Sequence, residues 1–196
     1  MTESAMPAEA FFSDYANRLQ TVLHTGDWAS ISRLAEELRD CWIEKRQVFI
    51  CGNGGSAGNA IHLANDFIYG ISKTQGSGLR VSALPANSAV LTCLANDEGY
   101  ESIFSIQIAV QANKNDVLVV LSGSGNSPNI VKALEQAKAL GMRTYAILGY
   151  SGGKAKALAD VPIHFQVDDM QISEDMQLVV GHMIMQWLYA HQPART

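Results

Sequence analysis

Hydrophobic residues recur in two different patterns along this chain of 196 residues. In the first part of the sequence, apolar side chains repeat at spacings of three and four, which is typical of amphipathic helices. We therefore predict one helix at residues 8–24 and a second at residues 28–44. Gly26 and Asp27 stand between them, and these residue types favour the end of one helix and the start of the next.

After these two helices, short and wholly apolar runs alternate with helical repeats. The apolar runs predict five strands, at residues 48–51, 79–84, 116–121, 143–148 and 161–167. The helical repeats predict helices at residues 56–69, 87–94, 100–112, 128–140, 154–159 and 172–189. Strands that are apolar throughout are typical of a parallel sheet covered by helices on both faces. The expected fold is therefore α/β, a doubly wound parallel sheet flanked by helices, with two leading N-terminal helices.

No change in composition divides the chain. We expect a single domain over residues 1–196, with a helical pair at residues 1–45 and an α/β core at residues 46–196. A polar loop is expected at residues 70–78 and a turn at residues 96–99.

Charge and cysteine content narrow the class of protein. A formal net charge of −5 without a basic stripe argues against a nucleic-acid-binding surface. No apolar segment reaches the length needed to span a membrane, and the start lacks the pattern of a secretory signal. Cys41, Cys51 and Cys93 lie within apolar patterns and are expected to be buried free thiols. These features predict a cytoplasmic protein whose partners include neither nucleic acid nor membrane.

The first strand runs directly into a glycine-rich turn, Gly52, Asn53, Gly54, Gly55 and Ser56, and a helix follows. Strand, glycine turn and helix place backbone N–H groups at a helix start, where they can bind an anion. The glycines let the backbone approach a ligand, and the serine can cap the helix and offer a hydroxyl. The same pattern also fits a tight turn that binds nothing.

A second turn follows the third predicted strand and contains Ser122, Gly123, Ser124 and Ser127, with Pro128 as the first helical residue. Small hydroxyls and glycine amides at the carboxyl ends of parallel strands lie where α/β sheets bind ligands. Several short donors suit the three oxygens of a phosphate monoester, although a solvated polar loop has the same composition. Neither turn has the spacing of a Walker A loop or of a dinucleotide-binding fingerprint.

Two pairs of residues on helices are candidates for metal binding. His62 and Asp66 lie four residues apart and share a helix face, where they could hold a metal ion or form an ordinary surface pair. Glu174 and His182 lie eight positions apart in the last helix, which corresponds to about 12 Å along its axis. They could meet at one small ion only from opposite directions, through a helix irregularity or from different subunits.

Two of the candidates have simpler explanations. His182 lies within an apolar stripe, where a histidine is more often part of the core than a ligand. Asp97 is a carboxylate near a strand–helix edge, but it also fits ordinary turn chemistry.

Together these motifs resemble the sugar isomerase (SIS) domain, and more narrowly the sedoheptulose 7-phosphate isomerases. The residues that carry the resemblance, over nearly the whole chain, are the two glycine–serine turns, His62, Asp66, Asn96, Asp97, Glu174 and His182. The resemblance implies a flavodoxin-like three-layer sandwich. It also implies a homotetramer with active sites at the subunit interfaces.

The resemblance implies roles for individual residues. The phosphate would be held by Ser56, Ser122, Ser124 and Ser127. Further substrate contacts would come from Asn53, Gly54, Gly55, Asp66, Asn96, Asp97, Gly123 and Glu174. The positions of a zinc site would be His62, Asp66, Glu174 and His182. Asp66 would be the catalytic base and His182 the catalytic acid, with Glu174 as an alternative base.

The function implied is an aldose–ketose isomerase that converts sedoheptulose 7-phosphate to D-glycero-D-manno-heptose 7-phosphate through an enediol, for lipopolysaccharide or capsule synthesis. Isomerisation of another phosphosugar is one alternative. A non-catalytic tetrameric SIS protein, acting as a phosphosugar-binding regulator or a replication-initiation adaptor, is the other. This chain has Asp66 where the family usually has glutamate, Glu174 where it usually has glutamine, and Gly123 where it usually has threonine.

Overall fold

A computed structural model of the protein describes residues 6–73 and 78–194. Its strands are β1 (Gln47–Gly52), β2 (Arg80–Ala83), β3 (Val117–Ser122), β4 (Arg143–Leu148) and β5 (Val161–His164). Its helices are α1 (Ala8–His24), α2 (Trp28–Glu44), α3 (Gly55–Ile68), α4 (Ser88–Asp97), α5 (Ser105–Gln111), α6 (Pro128–Ala139), α7 (Gly153–Leu158) and α8 (Met170–Ala190). The predicted order of strands and helices is therefore confirmed.

The strands form one parallel sheet in the order β2-β1-β3-β4-β5. After β1 the chain moves to one side of the sheet, and after β3 it moves to the other. The order thus reverses between β1 and β3, which is the topological switch point of a flavodoxin-like sheet. Ligands of such sheets bind in the crevice at the carboxyl ends of the two switch-point strands, where both glycine–serine turns lie.

Side chains of each strand alternate between two hydrophobic cores. In β1, Val48 and Ile50 pack on one face, whereas Phe49 and Cys51 pack on the other. Helices α1, α2, α3 and α8 cover the first face, and helices α4 to α7 cover the second. These three layers confirm the doubly wound α/β fold and the two leading helices.

Helix α1 is attached to the beginning of α8 by polar contacts. The Tyr15 hydroxyl donates to Asp175 at 2.5 Å, and Arg18 forms an ion pair with Asp169. Asp169 is also the N-cap of α8, since its carboxylate accepts from the Ile172 N–H at 3.1 Å. Burial and Asp175 raise the pKa of Tyr15 to about 12, so the phenol stays protonated and remains a donor. These contacts fix α1 beside the end of α8 that adjoins the sheet.

Some predicted boundaries were wrong. The predicted turn at residues 96–99 begins later, because α4 continues through Asp97 and the chain turns at Gly99, whose φ is +90°. The helix predicted at residues 100–112 is a tight 3-10 turn followed by α5. Residues 74–77 of the polar loop predicted at residues 70–78 lie outside the described residues.

The cysteine prediction also needs a correction. Cys41 and Cys51 are buried free thiols, as predicted, but Cys93 is exposed. It lies on α4, none of whose residues is buried, so an apolar pattern there does not lead to burial. Among the helices that the structure describes, none is long and apolar enough to cross a membrane.

Candidate active site

Helices α3 and α8 lie side by side and run in the same direction. Near their starts, the carboxylate of Glu174 lies over Gly55, where a Cβ atom would overlap it. One turn along α3, Asn59 donates to the backbone carbonyl of Glu174 at 3.0 Å. Further along, His62 faces His182. The two helices thus form a seam that starts at the carboxyl end of β1.

His62, Asp66 and His182 form a cluster on this seam, which we call the His–Asp triad. The two Nε2 atoms lie 2.9 Å apart, and Asp66 Oδ2 lies 3.4 Å from Nε2 of His62 and 3.6 Å from Nε2 of His182. Gly181 permits this approach, because a Cβ atom there would overlap the Leu63 side chain. His182 is therefore not a core histidine, since its side chain is 47% exposed.

The donor set of the His–Asp triad fits a catalytic zinc site. Zinc binds histidine nitrogens and carboxylate oxygens at about 2.0–2.2 Å, and a tetrahedral arrangement then separates the ligand atoms by about 3.3–3.6 Å. The two histidine–aspartate distances agree with this spacing, and the distance between the histidines is a few tenths of an ångström shorter. Three protein ligands leave one position for water or substrate, which is typical of catalytic zinc.

Glu174 does not join the triad within one protomer, although it was expected among the metal-site positions. Its carboxylate lies 3.5 Å from the Ser56 hydroxyl, about 12 Å along α8 from His182. Helix α8 is continuous from Met170 to Ala190, which rules out a helix irregularity as the route to a shared ion. Glu174 instead lies at the glycine turn after β1.

The turn after β1 is built for close approach of the backbone to a ligand. Gly54 is the N-cap of α3 with φ at +55°, a left-handed conformation that favours glycine. A Cβ atom on Gly52 would lie 2.7 Å from the backbone oxygen of Ser56, so this position also needs glycine. The turn brings the amino end of α3, with its partial positive charge, to the crevice.

The turn after β3 presents three serines. The Ser122 hydroxyl accepts from the Gly125 N–H at 3.0 Å, and the Ser124 hydroxyl accepts from the Asn126 N–H at 3.3 Å. Both hydroxyls keep their own protons for donation. Ser127 is the N-cap of α6, and its side chain makes no capping hydrogen bond. The turn thus offers hydroxyl donors at the carboxyl end of β3, as an anion site requires.

An amide pair that the sequence did not reveal joins the two turns. The side chains of Asn53 and Asn129 exchange two hydrogen bonds, at 2.9 and 2.8 Å. The Tyr100 hydroxyl also donates to Asn53 Oδ1 at 3.1 Å. Asn129 is 1% exposed, and its position directly after the helix-starting Pro128 gave no sign in the sequence that it would be buried or paired. The pair holds the two turns on either side of the switch point together.

Asn96 and Asp97 lie at the exposed end of α4. The Asn96 amide donates to Asp97 Oδ1 at 2.7 Å, and the Cys93 thiol donates to Asp97 Oδ2 at 3.5 Å. These bonds are local to α4. Tyr100, three residues further on, links this end of α4 to Asn53 in the first turn.

Comparison with known proteins shows the relationships of the chain. Residues 10–149 match the model of the SIS domain. A phosphoheptose isomerase of Helicobacter pylori (strain P12) is 40% identical over 145 residues, which are 74% of this chain and 75% of that protein. The structure of a phosphoheptose isomerase from Neisseria gonorrhoeae is 27% identical with a TM-score of 0.84, and the match covers 93% of this chain and 98% of that one. The structure of a phosphoheptose isomerase from Francisella tularensis, 24% identical over 94% of this chain and 100% of that one, has the same fold with a TM-score of 0.88.

Proposed function

This chain belongs to the SIS domain family, and we propose that it is a sugar-phosphate aldose–ketose isomerase acting on sedoheptulose 7-phosphate, with D-glycero-D-manno-heptose 7-phosphate as the product. The observation that carries the proposal is the common seam of α3 and α8. This seam leads from the glycine turn after β1 to the His–Asp triad. Relatives named phosphoheptose isomerase, at 37–40% identity, support the choice of substrate.

In this proposal the phosphate binds at the switch point. Ser56 contacts it from the first turn, and Ser122, Ser124 and Ser127 contact it from the second. Several hydroxyl donors and a helix start can hold a dianion without a lysine or arginine. Asn53, Gly54, Gly55, Gly123, Asn96, Asp97 and Glu174 are the further substrate contacts that we propose.

With the phosphate held there, the sugar extends along α3 toward the triad. Asp66 removes a proton from the carbon next to the carbonyl, which leaves an enediolate. His182 gives a proton to the carbonyl oxygen and takes one back from the neighbouring hydroxyl, and Asp66 returns its proton to the former carbonyl carbon. The hydrogen count is unchanged, so the step is an isomerisation. Glu174 is the alternative base, which would act from another subunit because within its own protomer it lies at the phosphate end of the seam.

A zinc ion would be held by His62, Asp66 and His182. When bound, zinc polarises a substrate carbonyl and stabilises negative charge on its oxygen. If Asp66 and His182 bind zinc, they cannot transfer protons through the bound atoms, and Glu174 is then the candidate base. We include Glu174 in the zinc site only as a contribution from another subunit.

We also propose that the chain forms a single domain and assembles as a homotetramer. The support is a set of exposed large apolar side chains on α1, α3 and α8, which a partner subunit would cover. They are Phe11 (54% exposed), Phe12 (68%), Ile61 (44%), Ile68 (50%), Met183 (41%) and Tyr189 (48%). Ile61 is adjacent to His62 and Met183 to His182, so an interface there would adjoin the active site. The buried thiols Cys41 and Cys51 suit a cytoplasmic location.

The isomerase proposal is tested by incubating the purified protein with sedoheptulose 7-phosphate, with and without added zinc. Formation of the aldose heptose phosphate, followed by NMR or chromatography, is the expected result. The absence of an aldose product under both conditions would contradict the proposal. Sedimentation velocity on the same sample measures the oligomeric state, for which four copies are expected.

A further inference from the structure

We propose that Asn59 and Gln177 are positioning residues that commit the Ser56 hydroxyl to donate its proton to the bound phosphate. The inference rests on the proposed phosphate site at Ser56. A continuous chain of hydrogen bonds carries it. Asn59 donates to the Glu174 carbonyl at 3.0 Å and to Gln177 Oε1 at 3.0 Å, and Gln177 Nε2 donates to Ser56 Oγ at 3.0 Å.

The donor and acceptor roles in this series of hydrogen bonds follow from the contact between Asn59 and the Glu174 carbonyl. A backbone carbonyl can only accept, so the Asn59 atom that faces the Glu174 carbonyl is the amide nitrogen. The same nitrogen donates its second hydrogen to Gln177, which places the oxygen of the glutamine on that side. The nitrogen of Gln177 therefore faces Ser56, and the serine oxygen must accept.

Burial makes this arrangement rigid. Gln177 is 0% exposed, so water has no access to replace the partners of its amide. A reversed Gln177 amide would place its oxygen toward Ser56 and its nitrogen toward the nitrogen of Asn59. That would leave two donors facing each other without solvent, which is costly. The buried amide thus has one favourable orientation.

The consequence for the ligand is that the Ser56 proton points away from Gln177. Its acceptor in this structure is Glu174 Oε1, at a distance of 3.5 Å that makes the bond weak. A deprotonated phosphate oxygen is a better acceptor and would replace this carboxylate. Asn59 and Gln177 therefore favour a ligand that presents acceptors only, and neither needs to touch the ligand.

The test compares Gln177→Glu with wild type, because the carboxylate keeps the shape but accepts from Ser56 instead of donating to it. Binding of inorganic phosphate is measured by calorimetry, and KM and kcat are measured with sedoheptulose 7-phosphate. We expect phosphate affinity to fall about tenfold or more, and KM to rise with little change in kcat. In a Ser56→Ala background the same change should cause a clearly smaller loss, because only the charge repulsion of the new carboxylate remains. Gln186→Glu, at an exposed position of α8, is the control for added charge.

Equal losses with and without Ser56 would show a merely structural role and overturn the proposal, as would unchanged affinity in Gln177→Glu. If Gln177→Glu does not fold, Gln177→Met removes the donor without adding charge and should show the same dependence on Ser56. Phosphate binding that depends on Gln177 without any turnover would refute the isomerase and leave the positioning role intact. Turnover that does not change in the Gln177 variants would refute the positioning role and leave the isomerase proposal intact. A wild-type protein that does not bind phosphate would also refute the positioning role.

Discussion

His62 and His182 bring their Nε2 atoms within 2.9 Å of each other, although 120 residues separate them in the chain. Their rings meet edge to face, with an angle of 84° between the planes. Only one of two facing imidazole nitrogens can donate to the other, and two protonated rings would repel each other. A cation held by both nitrogens and by Asp66 satisfies all three groups at once.

We therefore expect His62→Ala and His182→Ala each to weaken zinc binding by roughly 100-fold or more, because each removes one ligand of the triad. Zinc content after dialysis and calorimetric titration measure this effect. His182→Ala should in addition lower kcat by about 10²–10⁴-fold, through loss of the acid or, with zinc bound, of a metal ligand. His24→Ala, at the exposed end of α1, is the matched control and should behave as wild type. Equal zinc affinity in all four proteins would contradict a metal site at the triad.

Glu174→Gln should improve the binding of phosphate esters. The carboxylate lies beside Ser56 and Gly55, where an incoming phosphate meets a like charge, and glutamine removes that charge. We expect KM to fall several-fold with kcat nearly unchanged. Glu135→Gln, an exposed position on α6, is the control for the charge change.

The same variant distinguishes the two candidate bases. If Glu174 removes the substrate proton, Glu174→Gln lowers kcat by about 10²–10⁴-fold instead, while Asp66→Asn has the smaller effect. A large loss in Asp66→Asn together with a gain in Glu174→Gln supports Asp66 as the base. Steady-state kinetics of the two single variants decide between these outcomes.

Two glycines of the second turn should respond differently to alanine. A Cβ atom at Gly123 would lie 2.7 Å from the sulfur of Met170, a flexible side chain that is 38% exposed and can move. We expect Gly123→Ala to change the free energy of unfolding by less than about 1 kcal/mol. Gly125 has φ at +66°, and a Cβ atom there would overlap the backbone oxygen of Gly152.

For Gly125→Ala we therefore expect a loss of about 2 kcal/mol or more, because strain and a backbone overlap combine. Urea unfolding of the two variants beside wild type measures the difference. Similar stabilities for both would show that the turn adapts more readily than its contacts indicate.

The element order was predictable from local patterns. Strand β3, all of whose residues are buried, appears in the sequence as an apolar run that ends at its last residue, Ser122, and helix α2 was predicted with its observed ends. Glycine and proline positions marked the turns, because these residues restrict the backbone directly. Both glycine–serine turns could then be placed at the carboxyl ends of parallel strands, although the order of the strands in the sheet was not predicted.

Contacts between distant side chains were not predictable in this way. The Asn53–Asn129 pair joins residues 76 positions apart, and neither asparagine carries a local signal of its partner. The buried contacts of Gln177 could not be predicted for the same reason, since a polar residue within an apolar helix stripe can be buried or exposed. Helix periodicity also cannot show that α4 lacks buried residues, and this is why Cys93 was wrongly predicted as buried.

Cys93 provides a further prediction, which concerns pH. Its exposed thiol donates to Asp97, and the hydrogen bond and negative charge of that carboxylate raise the pKa of the thiol above its ordinary value of 9.0. A raised pKa means less reactive thiolate at any pH below it. We expect alkylation of Cys93 by iodoacetamide to be slow at pH 8 and to accelerate at higher pH than for an unperturbed thiol. Asp97→Asn removes the charge, so the pH profile should move to lower pH and the rate at pH 8 should rise.

Mass spectrometry of alkylated peptides measures these rates, and the two buried cysteines of the same protein serve as internal references. Cys41 is buried, and burial raises its pKa to about 12, so it should stay unmodified in the folded protein. Cys51 is buried as well and should behave in the same way. Identical pH dependences of the alkylation rate in wild type and Asp97→Asn would show that Asp97 does not raise the pKa of the Cys93 thiol. Because Asp97 is a proposed substrate contact, a sugar phosphate that binds it should change the alkylation rate of Cys93 in wild type but not in Asp97→Asn.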